Sequence, residues 1–250
     1  MIQIGPQDRL FILTGAGMSA ESGLPTFRGM NGVWRTYRVE EVASPIAWAR
    51  DSRLVWEFYS ERRRRHRTVE PNPGHYALAR LEEEIGDRLF LCTQNVDRLH
   101  ELAGSRRVIH MHGKIFQSRC ERDCGRPPFD DDWTLENGAD IPRCTCGGKM
   151  RPHICWFGET PFEMEHVAAA LERCTIFLAV GTSGVVEPAA SFVRHARARG
   201  DFVRTYYVGP EEPANGAFFD EVLLGPSGEL LPRLFQLLRC GFTRIHADSS

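Results

Sequence analysis

The chain has 250 residues, with 31 basic and 33 acidic side chains and a net charge of −2. That near balance, with 42% apolar and 26% charged residues, describes a globular chain and argues against a dedicated nucleic-acid binder, whose charge would be strongly basic. No apolar run approaches the ~18 residues of a membrane span, and the first residues, MIQIGPQDRL, lack a signal-peptide core, so the sequence reads as cytoplasmic with no membrane partner.

Leu10–Thr14 is a continuous apolar run, as expected of a strand buried on both faces. It leads directly into GAGMSAESGLPTFRG, residues 15–29. Gly15 and Gly17 permit a tight turn and a close approach of backbone to a ligand. Met18–Ser22 reads as the first turn of a helix whose N–H groups and dipole suit a pyrophosphate. The spacing is not the full dinucleotide fingerprint G-x-G-x-x-G, and a plain strand-to-helix turn is the alternative. Pro25 to Gly29 sets an aromatic and a cation beside this turn, as a ligand-covering loop would. Gly29–Ser52 is mixed and predicts a helical excursion. Leu54–His66 predicts an amphipathic helix with Val55, Phe58 and Tyr59 on one stripe, its Arg62–Arg65 run mostly a solvated cationic face. Tyr59 and Arg62 are three apart and therefore neighbours on one helix face. A phenol beside a guanidinium suits a carboxylate. Gly74–Ile85 predicts another helix.

Leu89–Thr93 is the second buried strand, and Gln94-Asn95-Val96-Asp97 follows it at once. Ligands sit at the carboxyl ends of strands in doubly wound sheets, so two amides and a carboxylate there suit ribose hydroxyls. A helix N-cap by Asn95 or Asp97 is the alternative. His110-Met111-His112-Gly113 reads as a strand with two histidines on one side: a metal pair, or a general base beside a structural histidine. Ser118–Arg151 is polar and carries Cys120-x3-Cys124 and Cys144-x-Cys146. Two thiol pairs can close a tetrahedron round zinc, and four thiolates leave no open position, which makes such a site structural. Cys92, Cys155, Cys174 and Cys240 lie in or beside apolar runs, as core residues do. Strands Thr175–Val180 and Phe202–Val208 complete the pattern, with helices at Glu163–Arg173, Glu187–Arg199 and Leu230–Leu238. Gly181-Thr182-Ser183 is a second small-residue turn at a strand end, predicted to face the first across a cleft. Strands alternating with helices predict an α/β fold built on a doubly wound parallel, Rossmann-like sheet. The two irregular regions read as insertions into one domain.

GAGMSAESGLPTFRG, TQNVDRLHELAG, HMHG, the paired cysteines, RPHICWFGE and GTSGVVEPAA occur in that order, and together they resemble the sirtuins, the NAD-dependent protein-lysine deacylases. The similarity runs from Leu10 to about Leu238. It implies one catalytic domain over residues 1–250. The Rossmann-like part is expected at 10–28, 86–114 and 155–239, a helical insertion with the acyl pocket at 29–85, and a zinc-binding module at 115–154. It implies an NAD site lined by Gly15, Ala16, Gly17, Ala20, Glu21, Thr26, Phe27 and Arg28, with Gln94, Asn95 and Asp97 round the nicotinamide ribose. His112 becomes the catalytic base, with Asn95 and Asp97 orienting the ribose and a water, and no metal is expected on the histidines. Gly181, Thr182 and Ser183 are expected at the adenosine half. Gly209 stands where the family usually has an Ile-Asn pair, and offers that end its backbone alone. Zinc is expected on Cys120, Cys124, Cys144 and Cys146. The acylated lysine of a protein or peptide would be held as an added strand between Phe157-Gly158-Glu159 and Gly184-Val185-Val186.

Tyr59-x-x-Arg62, with Ala43 at the corresponding small-residue place in the acyl channel, resembles the class III bacterial type, which removes succinyl, malonyl or glutaryl groups. The implied products are free lysine, nicotinamide and O-acyl-ADP-ribose, with acetyl-lysine a further substrate. A monomer is expected. Two other readings stay open: a sirtuin-fold ADP-ribosyltransferase or NAD hydrolase, and a non-catalytic NAD-binding module.

Overall fold

The computed structural model describes residues 2–26, 39–136 and 138–235. In chain order these form β1 (Leu10–Thr14), α1 (Ala16–Ala20), α2 (Val39–Val42), α3 (Pro45–Arg50), α4 (Ser52–His66), α5 (Pro73–Ile85), β2 (Leu89–Thr93), α6 (Leu99–Leu102), β3 (Val108–His110) and β4 (Gly113–Cys120). There follow β5 (Phe129–Asp130), β6 (Met150–Ile154), α7 (Met164–Leu171), β7 (Ile176–Val180), α8 (Phe192–Arg197), β8 (Arg204–Gly209), β9 (Glu221–Leu224) and α9 (Ser227–Phe235).

The larger sheet has the order β3-β2-β1-β7-β8-β9, and its pairings are parallel. Every residue of β1 and β7 is buried, as in a sheet covered on both faces. Alternate residues serve the two faces. Ile12, Leu91, Leu178 and Val208 pack under Leu78 and Leu81 of α5 and Leu231 and Leu234 of α9. Phe11, Phe177 and Tyr207 pack under Val167 of α7 and Phe192 and Val193 of α8. The chain builds from β1 through β2 to β3, then returns to β7 on the other side of β1 and continues outward. The β1/β7 boundary is therefore the switch point, where open α/β sheets bind their ligands.

Helix α5 departs from the boundaries expected from sequence. The span 29–85 placed it in the helical insertion, yet its apolar stripe belongs to the core of the parallel sheet, so the insertion ends before Pro73. The helix expected over Glu187–Arg199 is shorter at both ends: Pro188 precedes a 3-10 turn at Ala189–Ser191, and α8 stops at Arg197. Helix α9 begins three residues earlier than expected, because Ser227 and Gly228 find a capping carboxylate in Glu21. Its expected end at Leu238 lies outside the described residues.

The second layer joins two segments that the sequence separates. Trp48 of α3 and Val55, Trp56, Phe58 and Tyr59 of α4 share one buried cluster with Ile115 of β4, Ile154 of β6 and Trp156. β4 lies between β5 and β6 in a small antiparallel sheet. Arg63 ties helix to sheet. It is 0% exposed, and its guanidinium donates to the carbonyls of Ile115, Trp133 and Gln117, to Ser118 Oγ and to Asp131. The cationic face expected over Arg62–Arg65 is thus interrupted by its second member, because three backbone carbonyls there need donors.

Candidate functional site

The loops after β1 and β7 meet at the switch point. Gly15 N donates to Val180 O and Gly17 N to Gly181 O, each at 2.9 Å. A Cβ on Gly17 would stand 2.7 Å from Gly181 Cα, and one on Gly181, where φ is +62°, only 2.3 Å from Met18 N. Glycine is required here by the approach of one loop to the other. The N–H groups of Gly15 and Gly17 are engaged by β7 and its loop. The helix turn expected at Met18–Ser22 to face a pyrophosphate is α1, which starts two residues earlier at Ala16 and is too short for a large macrodipole. Ala16 is half-buried and Ala20 exposed in this turn, and Thr26 is half-buried beyond it. Phe27 and Arg28 lie outside the described residues. The carboxylate of Glu21 is bound to the start of α9, accepting from Ser227 Oγ at 2.8 Å and Gly228 N at 3.0 Å. Thr182 is buried and Ser183 exposed after β7. Tyr207 donates to Thr182 O at 3.1 Å. Gly209 ends β8 with Val208 beside Val180, and a Cβ on it would meet the Tyr207 hydroxyl at 2.3 Å.

Register brings the loop after β2 to the same edge, since Thr14 pairs with both Thr93 and Val180. Gln94 N donates to Thr14 O at 2.9 Å. Asn95 and Asp97 are 4% and 5% exposed and meet at Ser19. Asn95 Nδ2 donates to Gly15 O at 3.0 Å and reaches Ser19 Oγ at 3.1 Å. Ser19 Oγ in turn donates to Asp97 Oδ2 at 2.9 Å. The other Asp97 oxygen accepts from Leu99 N at 3.1 Å, but the N-cap of α6 is Arg98 with no side-chain cap bond, so neither Asn95 nor Asp97 is the helix N-cap. Burial pushes the Asp97 carboxyl above the ordinary value, against the hydrogen bonds from Leu99 and Ser19. Ser19, which links the first two loops, was not singled out from sequence. Its signal was a hydroxyl beside the buried Met18 on the inward side of this turn.

The two histidines do not share one strand. His110 ends β3, while His112 stands in the turn before β4, because Gly113 has φ +83° and packs against His153 O. His110 Nδ1 bonds Asn95 O at 3.1 Å and Nε2 bonds Glu101 at 2.8 Å. His112 Nδ1 bonds Gln94 O at 3.1 Å. A carbonyl only accepts, so Nδ1 carries the proton and Nε2 keeps its lone pair. Burial lowers the His112 pKa, against the Gln94 bond that raises it, and favours the neutral ring.

The four grouped thiols converge, with all their sulfurs within 4.8 Å of one another, the sole such metal-type cluster among the described residues. Cys120 and Cys146 sulfurs are 3.4 Å apart and those of Cys124 and Cys144 3.7 Å. The long Cys120–Cys124 spacing is taken up by a left-handed residue, Asp123 at φ +45°. Gly147 N turns back to Cys144 O at 2.8 Å. A Cβ on Gly148 would lie 2.9 Å from Cys120 Sγ. This donor set fits zinc with no vacant position.

Tyr59 is 1% exposed and Ala43 5%. The Arg62 guanidinium carbon lies 5.6 Å from the Phe58 ring centre and 5.9 Å from that of Tyr59. Burial lowers the Arg62 pKa, while Tyr59 and Asp97 act to raise it. Asp97 thus stands within electrostatic reach of the Tyr59–Arg62 pair. Phe157 N donates to Ala43 O at 3.1 Å, and Ala43 shares one buried cluster with Tyr59. Phe157 itself is 50% exposed, and Gly158 is left-handed at φ +91°. Glu159, expected to grip substrate, is turned inward. Its carboxylate binds Arg151, Arg119 and Trp156 N, and its N–H bonds Trp156 O at 2.9 Å. Two guanidinia and an amide need that carboxylate more than an added strand does. Val185 is 41% exposed, Gly184 is left-handed at φ +71°, and Val186 O accepts from Ala190 N.

Comparison with known proteins places these features in one context. The model of the Sir2 family matches residues 15–188. An NAD-dependent protein deacylase of Caulobacter vibrioides is 47% identical over 227 residues, 90% of this chain and 94% of that protein. One from Shewanella oneidensis is 43% identical over 93% of this chain and 95% of its own. A point mutant of a Sir2 homologue in complex with ADP-ribose superposes with a TM-score of 0.87 at 37% identity, over 96% of this chain and 95% of that one. A Sir2 homologue in complex with NAD gives 0.84 at 38% identity, over 94% and 91%.

Proposed function

The chain belongs to the Sir2 family and is an NAD-dependent protein deacylase, and from that premise we propose that it removes acidic acyl groups (succinyl, malonyl and glutaryl) from lysine, and acetyl as well. The observation that carries this reading is the juxtaposition of Tyr59 and Arg62 on one face of α4, beside Ala43 and the Phe157 turn. A guanidinium with a phenol donor next to it complements a carboxylate. An acetyl group would leave both donors without that partner.

NAD, the second substrate, supplies the ribose carbon that takes the acyl oxygen as nicotinamide leaves. In this reading the loops at Gly15–Ala20, Gln94–Asp97 and Gly181–Ser183 hold NAD, with Thr26 and Gly209 at their margins. Asn95 and Asp97 are held by Ser19 and so meet a ribose already oriented. His112 offers Nε2 as the proton acceptor, with Gln94 O fixing its tautomer. The backbone at Phe157–Gly158 and Gly184–Val186 takes the peptide, and Glu159 supports the first of these turns from within. Zinc on the four cysteines is structural in this account. Arg62→Met tests the acyl reading. A charged hydrogen bond is worth about 1.5–3 kcal/mol, so desuccinylation should fall roughly tenfold to hundredfold while deacetylation changes little. Equal losses on both substrates would sink the acidic-acyl assignment.

A further inference from the structure

The Tyr59 hydroxyl has one hydrogen-bond partner among the described residues, the indole Nε1 of Trp156 at 3.0 Å. Indole N–H only donates, and a phenol has one hydrogen and acceptor lone pairs. The Tyr59 oxygen therefore accepts from Trp156, and its own hydrogen is directed elsewhere. Burial pushes the phenol up to about 12, so that hydrogen stays in place at neutral pH despite the opposing charge of Arg62.

Trp156 is itself immobilised. Its backbone N–H donates to Glu159 Oε2 at 2.8 Å. Glu159 grips Arg151 through two bonds, at 2.6 and 3.0 Å. The Arg151 guanidinium carbon stands 3.2 Å from the centre of a Trp156 ring, and Trp48 packs on Trp156 with ring centres 5.7 Å apart. The chain Glu159–Arg151–Trp156–Tyr59 thus ends on a hydroxyl whose free rotation is removed by the indole.

We propose that Trp156 is a specificity-positioning residue: its indole N–H fixes the Tyr59 hydroxyl so that the phenolic hydrogen, next to the Arg62 guanidinium, is presented to the distal carboxylate of an acyl-lysine. This inference rests on the acidic-acyl reading above. Trp156 does not touch the reacting atoms in this account. It acts through Tyr59, by keeping the hydroxyl from turning its own hydrogen away and offering a lone pair to the anion.

The test is a double-mutant cycle with Trp156→Phe and Tyr59→Phe, measuring kcat/KM on succinyl-lysine and acetyl-lysine forms of one peptide. Trp156→Phe keeps a ring and removes the N–H. The expected result is a loss of roughly threefold to tenfold on succinyl-lysine, the scale of one hydrogen bond, with acetyl-lysine turnover within about twofold. In the Tyr59→Phe background, Trp156→Phe should add no further succinyl-specific loss, since coupled residues are non-additive. Equal losses on both substrates, or losses that multiply in the double variant, would overturn the proposal. If Tyr59→Phe alone costs succinyl turnover but Trp156→Phe does not, the positioning role falls and the acidic-acyl reading stands. If Tyr59→Phe and Arg62→Met both leave succinyl preference intact, the reading itself falls and this inference with it. Should Trp156→Phe fail to fold, benzothienylalanine at position 156 replaces the N–H by sulfur at nearly constant shape and gives the same comparison.

Discussion

Replacing Arg63 with Met removes a guanidinium that is 0% exposed and bonded to three carbonyls, a hydroxyl and a carboxylate. Deleting one partner of a buried ion pair costs about 3–5 kcal/mol. Two features favour the lower end. The Asp131 side chain is 18% exposed, and it keeps bonds from Ser118 Oγ and Trp133 N. With a loss of about 3 kcal/mol, and about 2–4 °C per kcal/mol in a chain of this size, Tm should drop by roughly 6–12 °C. Arg65→Met is the control. That side chain is 59% exposed and pairs with Glu61 along the helix surface, so its removal should stay within about 0.5 kcal/mol. The assay is calorimetric melting of both variants loaded with zinc, together with the succinyl-to-acetyl turnover ratio. Arg63→Met should melt early and keep the ratio of the parent enzyme. Equal melting of Arg63→Met and Arg65→Met would refute the structural role given to Arg63.

Other outcomes follow from the site. His112→Ala should fold with near-parental Tm and lose turnover by about 10² or more, whereas near-normal turnover would remove His112 from the role of base. Because burial lowers the His112 pKa, the acid limb of kcat/KM should fall below the ordinary histidine value of about 6.5, and a limb at or above that value contradicts the assignment. His66, His75 and His100 are buried and held neutral, the first two at about 3 and about 4 and the third well below its ordinary value, mainly through desolvation. The folded state then binds fewer protons than the unfolded one, so their stability contribution is complete above pH 6.5 and is lost as pH falls toward the folded values. The slope is at most about 1.4 kcal/mol per pH unit for each, and denaturant midpoints that stay flat from pH 7 to 5 would refute it. Cys144→Ala should lower both bound zinc, from about one ion per chain, and Tm; unchanged metal content would dissociate this cluster from zinc.

The parallel sheet was legible because β1, β2 and β7 are apolar runs closed by small or polar residues, a pattern that owes little to distant parts of the chain. β8 opens on Arg204 and Thr205 and carries only Tyr206-Tyr207-Val208 of that signal. β3 and β9 are edge strands of three and four residues, too short to carry a period. Arg63 was illegible for a different reason. In RRRRH nothing local distinguishes the arginine that meets three carbonyls of the small sheet from its solvated neighbours, since its burial is decided by residues 115 to 133. The same holds for Glu21 and Glu159. Both sit in motif stretches, yet one caps α9 and the other anchors Arg151, contacts that a linear motif does not encode. The glycines at 15, 17 and 181 were legible as glycines needed for close approach. What they approach first is each other's loops.

The most direct test of the central claim is turnover of succinyl-lysine and acetyl-lysine versions of one peptide with NAD, following O-acyl-ADP-ribose by mass. The account predicts O-acyl-ADP-ribose from both, with the larger kcat/KM for succinyl-lysine. Turnover of acetyl-lysine alone would contradict the role given to Tyr59 and Arg62.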